Sequence, residues 1–343
     1  MELPVPLDLA PMEAETAAEL PAGPEWQYEP KWDGFRCLAF RDGDQVELQS
    51  KSGRPLARYF PDVARVLRGL SARRFVLDGE IVVPVGDVLS FEELQLRLHP
   101  AASRVAKLAA AHPATLVAFD LLLGPRGGPL LGLPLAERRP RLEAFAAQYF
   151  TPAGRVKLSR STRERGEAQR WLTGGIGGLD GVMAKRLDLP YLPGERAGMV
   201  KVKNLRTADC VVGGFRYLTK ERVVGSLLLG LYDRRGLLHH VGFCSGLTAE
   251  QKRELTPKLE AMVQPPGFTG AAPGGPSRWS TERSAQWQPL APRLVVEVQY
   301  DHFSGGRFRH GTGFVRWRPD KEPRECRLEQ VERESRASAG LLG

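Results

Sequence analysis

The chain has 343 residues, 42% of them hydrophobic, which is enough for two domains with buried cores. No apolar run approaches the ~20 residues that cross a bilayer as a helix, and the opening MELPVPLDLAPMEAETAAELPAG has no basic stretch followed by an apolar one, so neither a membrane span nor a signal peptide is expected. A net charge of +9 with a pI near 9.6 suits a polyanionic partner.

Taken in chain order, 35–41 and 45–50 predict a hairpin around Asp42-Gly43-Asp44. Residues 59–70 fit an amphipathic helix, and 75–84 a strand interrupted by Asp78-Gly79. Ser90 and Glu93 form a capping box for a helix through Leu98. Residues 115–123, TLVAFDLLL, read as a buried strand; helices follow near 135–149 and 163–173, then strands at 181–186 and 199–203. After residue 205 the pattern is mostly β, with strands at 209–217, 222–232, 236–244 and 293–300 and one helix from a Thr248–Gln251 cap to about Val263. That region predicts a small five-stranded barrel of the OB type, with 265–278 as a Pro/Gly-rich loop. The expected division is 1–205, 206–333 and a flexible tail over 334–343. Residues 1–205 hold 28 Lys/Arg against 25 Asp/Glu, and the remainder 21 against 15, so most of the excess charge lies in the second part. Cys37, Cys210, Cys244 and Cys326 are far apart and form no C-x-x-C pair, which predicts reduced thiols in a cytoplasmic protein.

Several charged residues fall inside apolar strands, where charge needs a partner. Glu80 lies in VLDGEIVV, Asp120 in VAFDLLL, Lys185 after GVMA, and Lys201 and Lys203 alternate in MVKVK, on one face of a strand. With Lys31, Asp33 and Arg36 they suggest strands converging on a polyphosphate, with lysines supplying charge and carboxylates holding a metal. Taken singly, each is as well explained by a paired structural ion.

In order, these fragments are K-x-D-G-x-R (Lys31 to Arg36), S-K-S-G-R (Ser50 to Arg54), D-G-E (Asp78 to Glu80), F-D-L-L (Phe119 to Leu122), D-G-V-M-A-K (Asp180 to Lys185), K-V-K (Lys201 to Lys203) and R-P-D-K (Arg318 to Lys321). They resemble the motifs of the covalent nucleotidyltransferases, the superfamily of ATP-dependent DNA ligases, RNA ligases and mRNA capping enzymes. The flanks L-P-Y-x-P-G-E-R and Q-Y-D-H-F-S-G-G-R-F-R-H-G-T are most similar to bacterial DNA ligases of the C and D types.

The resemblance implies an α+β fold: an adenylation domain of antiparallel sheets with flanking helices, followed by an OB-fold β-barrel domain. It implies nick sealing in DNA repair through a lysyl-AMP, with ATP as the nucleotide and Mg²⁺ or Mn²⁺ as the metal. A lysine amine is ordinarily protonated at neutral pH, so Lys31, the implied nucleophile, needs neighbouring positive charge, burial or a metal for activation. Asp33 belongs to the same motif. Phe119 is implied to stack on adenine, Glu29 to lie near the base, and Arg36 and Glu80 to contact ribose or phosphate. Lys185, Lys201 and Lys203 are implied phosphate contacts, and Arg54 a contact to nucleotide or nick. Glu80 and Asp180 are the implied metal ligands; Asp180 stands where the family has glutamate, one methylene shorter. Asp120 reads as a structural hydrogen-bonder. In the second domain Arg318, Asp320 and Lys321 are implied to orient the leaving pyrophosphate, and Arg307, Arg309 and His310 to contact DNA. The implied partner is nicked duplex DNA, bound by a monomer in the bacterial cytoplasm at the nucleoid with no membrane contact, and a separately encoded repair polymerase by family analogy. RNA ligation, GTP-dependent capping and non-catalytic nucleic-acid binding stay open as alternatives at this point.

Overall fold

The structure, a computed structural model, describes residues 1–173, 179–274 and 286–332. The expected tail over 334–343 and the end of the 265–278 loop lie outside the described residues. The chain divides between Asn204 and Leu205 into two compact units.

The first unit is built on two sheets. One runs Gln45–Ser50, Phe35–Asp42, Arg74–Val82, Thr115–Leu123 and Val156–Leu158, antiparallel except for the last pair. Thr115–Leu123 is buried along its whole length, as a strand covered on both faces requires, and its apolar run supplies that cover. Strand alternation sorts the neighbouring residues. Cys37 and Ala39 pack with Leu67 of helix Pro61–Gly69 and Phe145 of helix Leu135–Tyr149, whereas Leu38 and Phe40 pack with Leu122, Tyr191 and Met199 on the other face. The second sheet runs Glu15–Thr16, Met199–Lys203, Leu179–Arg186 and Trp26–Trp32.

The chain passes from the second sheet to the first at Asp33-Gly34. A Cβ on Gly34 would lie 2.2 Å from the Ile81 carbonyl oxygen, so only glycine lets the backbone cross there. Asp78-Gly79, by contrast, does not interrupt its strand. Arg74–Val82 is continuous, and Gly79 sits at a register shift where a Cβ would meet the Val117 carbonyl oxygen at 2.7 Å. Helix Phe91–Leu96 starts at the expected Ser90 cap, whose hydroxyl accepts from the Glu93 N–H at 3.2 Å, and stops two residues short of Leu98. Helix Ala102–Ala111 escaped the sequence reading: it has no capping side chain, and its apolar face is short, with Val105 buried and Leu108 and Ala109 half-buried.

In the second unit one sheet runs Leu238–Cys244, Val224–Tyr232, Arg206–Tyr217, Val295–Tyr300 and Gly313–Trp317, antiparallel throughout. Helix Ala249–Glu260 is capped by Thr248 and Gln251 with both reciprocal bonds in place. The strands of an OB-type barrel are present, but the ladder is open: its two edges meet at one bridge, Cys244 to Thr312. Phe308 packs against Gly242 of one edge strand and against Tyr300. Strand Gly313–Trp317 was missed because none of its residues is buried, which leaves no alternation to read. The four cysteines are buried free thiols, one in the first unit and three in the second.

Candidate active site

Cross-strand register puts the charged residues of the second sheet on one face. Glu29 lies opposite Met183, and Met183 opposite Lys201; Lys31 and Lys203 both lie opposite Gly181. Directly opposed residues share a face, so Glu29, Lys31, Lys185, Lys201 and Lys203 point the same way. Gly181 makes this possible. Its φ of 143° and the 2.0 Å from a built Cβ to the Val202 carbonyl oxygen exclude a side chain between the two lysines.

Glu29, Lys31, Lys185 and Lys201 line a pocket that the other sheet completes with Arg36, Glu80 and Phe119. Lys31 makes a short ion pair with the buried Asp180 carboxylate. Lys185 donates to Glu29 Oε2 at 2.7 Å, and Gln27 to Oε1 at 2.9 Å. The Phe119 ring has the Lys185 ammonium 4.5 Å and the Arg36 guanidinium 4.6 Å from its centre. Arg36 donates to both oxygens of Asp78 at 2.6 Å, Asp78 also accepts from the Tyr191 hydroxyl at 2.7 Å, and that hydroxyl accepts from the Met12 N–H at 3.0 Å. Burial opposes the charge on Arg36, but the Asp78 carboxylate outweighs it and raises the guanidinium's pKa. Burial pushes the Glu80 carboxyl up to about 8, against the pull of Arg36 and Lys31. Burial, then the like charges of Lys31 and Lys203, push the Lys201 ammonium below the usual lysine range.

The structure thus gathers Glu29, Lys31, Arg36, Glu80, Phe119, Lys185 and Lys201 around one pocket, with Asp180 and Lys203 beside it. Asp33 stands at the crossing, where its charge raises the Glu80 pKa. Arg54 is exposed at the turn after Gln45–Ser50 and is not among the lining residues; Lys51 of the same motif is, paired with Glu13 at 3.0 Å. Asp120 is taken up by a two-pronged pair with Arg138 at 2.9 and 3.0 Å, a structural role. Lys51, Glu13, Asp78 and Tyr191 had no assigned role, because their function depends on contacts distant in sequence.

In the second unit the Arg318 fork is divided between two carboxylates. Nη1 donates to both oxygens of Asp209 at 2.9 and 3.0 Å, while Nε and Nη2 reach Asp320 at 3.0 and 2.9 Å. Lys321 also donates to Asp209, at 2.8 Å. The Arg318 bonds hold the Asp320 carboxyl at about 2. Asp209, which joins both cations, was not singled out in the sequence. Arg307 donates to His240 Nδ1 at 3.0 Å, Arg309 is half-buried, and the exposed His310 pairs with Asp301 at 2.9 Å. Among the described residues no group of three or more His, Cys, Asp or Glu forms a metal cage. Glu80 lines the pocket and Asp180 pairs with Lys31, so both carboxylates stand at the site.

Residues 11–203 match the family described as ATP dependent DNA ligase domain, and residues 220–321 the ATP dependent DNA ligase C terminal region. The chain is 44% identical to DNA ligase C2 of Mycolicibacterium smegmatis and 42% identical to DNA ligase C of Mycobacterium tuberculosis, in each case over 97% of this chain and 96% of the relative. Among solved structures, the ligase domain of M. tuberculosis LigD matches with a TM-score of 0.50 and 29% identity, over 93% of this chain and 98% of that one.

Proposed function

Since the chain belongs to the ATP-dependent DNA ligase family, we propose that it seals nicks bearing a 3′-OH and a 5′-phosphate through a lysyl-AMP formed on Lys31. The observation that carries this assignment is the sheet face that brings Lys31, Lys185 and Lys201 to one pocket, with Phe119 of the other sheet lining it too. In the first step the Lys31 Nζ lone pair attacks the α-phosphorus of ATP, an N–P bond forms, and the bond to the bridging oxygen breaks to release pyrophosphate. Asp180, already against Nζ, is placed to take the proton. In the second step a 5′-phosphate oxygen attacks the adenylate phosphorus and Lys31 leaves. In the third the 3′-OH attacks the 5′-phosphate and AMP departs.

Catalysis at phosphorus here rests on positioning and charge. Lys201 and Lys203 hold phosphate oxygens, Arg36 and Glu80 the ribose and phosphate, and Phe119 stacks on the base. Arg318 and Lys321, with Asp320, serve the leaving pyrophosphate; Arg307, Arg309 and Arg54 contact DNA. Glu80 and Asp180 offer oxygen donors of the kind that suits magnesium, or manganese in its place, and no lining residue is a histidine or cysteine that would favour a softer ion. When bound there, the metal would neutralise phosphate charge. We further propose that it acts as a monomer on nucleoid DNA in the cytoplasm, following a separately encoded repair polymerase; the source of its relatives supports the bacterial setting.

The test is intact mass after incubation with ATP and magnesium. One added AMP, removed by pyrophosphate and absent in Lys31→Ala, is expected. An unmodified wild-type chain, or nick sealing by Lys31→Ala, would overturn the assignment.

A further inference from the structure

None of these steps uses Arg139. It lies on helix Leu135–Tyr149, is 6% exposed, and does not line the pocket. Two directions of its fork are fixed: Nε donates to Glu143 Oε1 at 2.7 Å and Nη2 to the Ser159 carbonyl at 2.8 Å. The same Ser159 accepts from the indole of Trp32, which does line the pocket. The third direction, Nη1, is buried with no hydrogen-bond partner and stands 3.9 Å from Glu29 Oε1. A buried donor left unpaired is costly and calls for a reason.

That reason lies in Glu29. Its carboxylate is 2% exposed and lines the pocket beside Phe119. A carboxylate has about four acceptor positions. Gln27 takes one on Oε1 and Lys185 one on Oε2, at the distances given above, so acceptor capacity remains for a ligand. An adenine presents a 6-amino donor, and a guanine a 6-oxo acceptor that a carboxylate repels. Of Gln27 and Lys185 only Lys185 is charged, and it draws the carboxylate toward its own ammonium. A rigid guanidinium on the Oε1 side balances that pull and holds the carboxylate in place.

We infer that Arg139 is a positioning residue that fixes Glu29 as the reader of the purine 6-amino group, and so sets the preference for an adenine nucleotide. This rests on the proposed occupancy of the pocket by ATP. Arg139 itself touches neither base nor reacting atoms.

The experiment compares kcat/KM for enzyme–AMP formation with ATP against purine riboside triphosphate, which lacks the 6-amino group, in wild type, Arg139→Met and Arg139→Lys. The wild type should prefer ATP by a ratio on the order of 10²-fold or more, as sites built around a substrate N–H do. In Arg139→Met the ratio should fall by about tenfold or more, with Arg139→Lys in between. Each ratio comes from one preparation, so the folded fraction cancels. If Arg139→Met yields no folded protein, the same ratio is read in Arg139→Gln and Arg139→Lys. A wild type that does not discriminate, or a ratio unchanged in the folded variant, overturns the inference. A wild type that forms no adenylate with ATP overturns the proposed function instead.

Discussion

The Asp78 carboxylate, with no solvent exposure, accepts from both sides of the Arg36 fork and from Tyr191, 113 residues away in the chain. Asp78→Ala leaves a largely buried guanidinium without its counter-ion, a change that costs roughly 3–5 kcal/mol in comparable pairs. Urea denaturation should show a loss of that size, against about 1 kcal/mol for Tyr191→Phe. Near-equal losses would mean Arg36 finds another partner. A second residue-scale effect concerns His240. Burial, reinforced by Arg307 and Arg216, lowers its pKa from 6.5 to about 3. The folded state keeps the ring neutral while the unfolded chain takes up a proton near 6.5, so the contribution is complete above pH 6.5 and is lost as pH falls toward 3. Between pH 6.5 and 5 this single group should remove about 2 kcal/mol of stability. His240→Gln, which does not titrate, should show a correspondingly shallower decline in the denaturation midpoint. Neither role could be read from the sequence. Its pattern marks Glu80 as a charge in an apolar strand and reads Asp78 as part of an interrupting Asp-Gly pair, so it does not reveal that Asp78 is the partner of Arg36.

Elements place these residues, and two Asp-Gly pairs carry much of that work in ways a turn rule does not anticipate. Gly34 lets the chain change sheets, and Gly181 lets two lysine-bearing strands flank a central one. Leu179–Arg186 and Met199–Lys203 were legible because apolar runs and alternation are local, whereas Trp26–Trp32, which carries Lys31, was not among the expected strands. The glycines' purpose was not, because it depends on carbonyls of Ile81 and Val202 brought close by pairing. Gly181→Ala therefore has to displace backbone on the pocket face. Its expected effect is at least a tenfold slower formation of enzyme–AMP, together with roughly 1–3 kcal/mol of lost stability from strain. Gly166, inside helix Arg165–Thr173 with open space where a Cβ would go, is the matched control. Gly166→Ala should raise stability by up to about 1 kcal/mol and leave adenylation unchanged. If both substitutions behave alike in a stopped adenylation assay, the geometry at Gly181 is not what orders the lysines.

At the scale of the whole chain the uneven charge is the useful quantity. The stretch after residue 205 holds 21 Lys/Arg against 15 Asp/Glu, yet much of that charge is internally paired: Arg318 and Lys321 on Asp209, Arg316 on Glu297, Arg222 on Glu260. Composition alone therefore overstates how much charge faces DNA. Binding to nicked duplex should still be dominated by phosphate contacts, whose affinity falls with salt by counterion release. For about 6 contacts the loss between roughly 50 and 200 mM salt is on the order of 10³-fold, read by fluorescence anisotropy on a labelled nick. Arg307 is exposed and tied to His240 through one terminal nitrogen. Arg307→Ala should lower the log–log salt slope by about one and weaken nicked and unbroken duplex alike, as a backbone contact does. The same substitution removes a positive neighbour of His240 and so raises the folded-state pKa toward 6.5; the loss of stability should still begin near pH 6.5 but end at a higher pH and be smaller. A slope that stays at the wild-type value while the acid sensitivity moves would assign Arg307 to the fold and leave DNA contact to other residues.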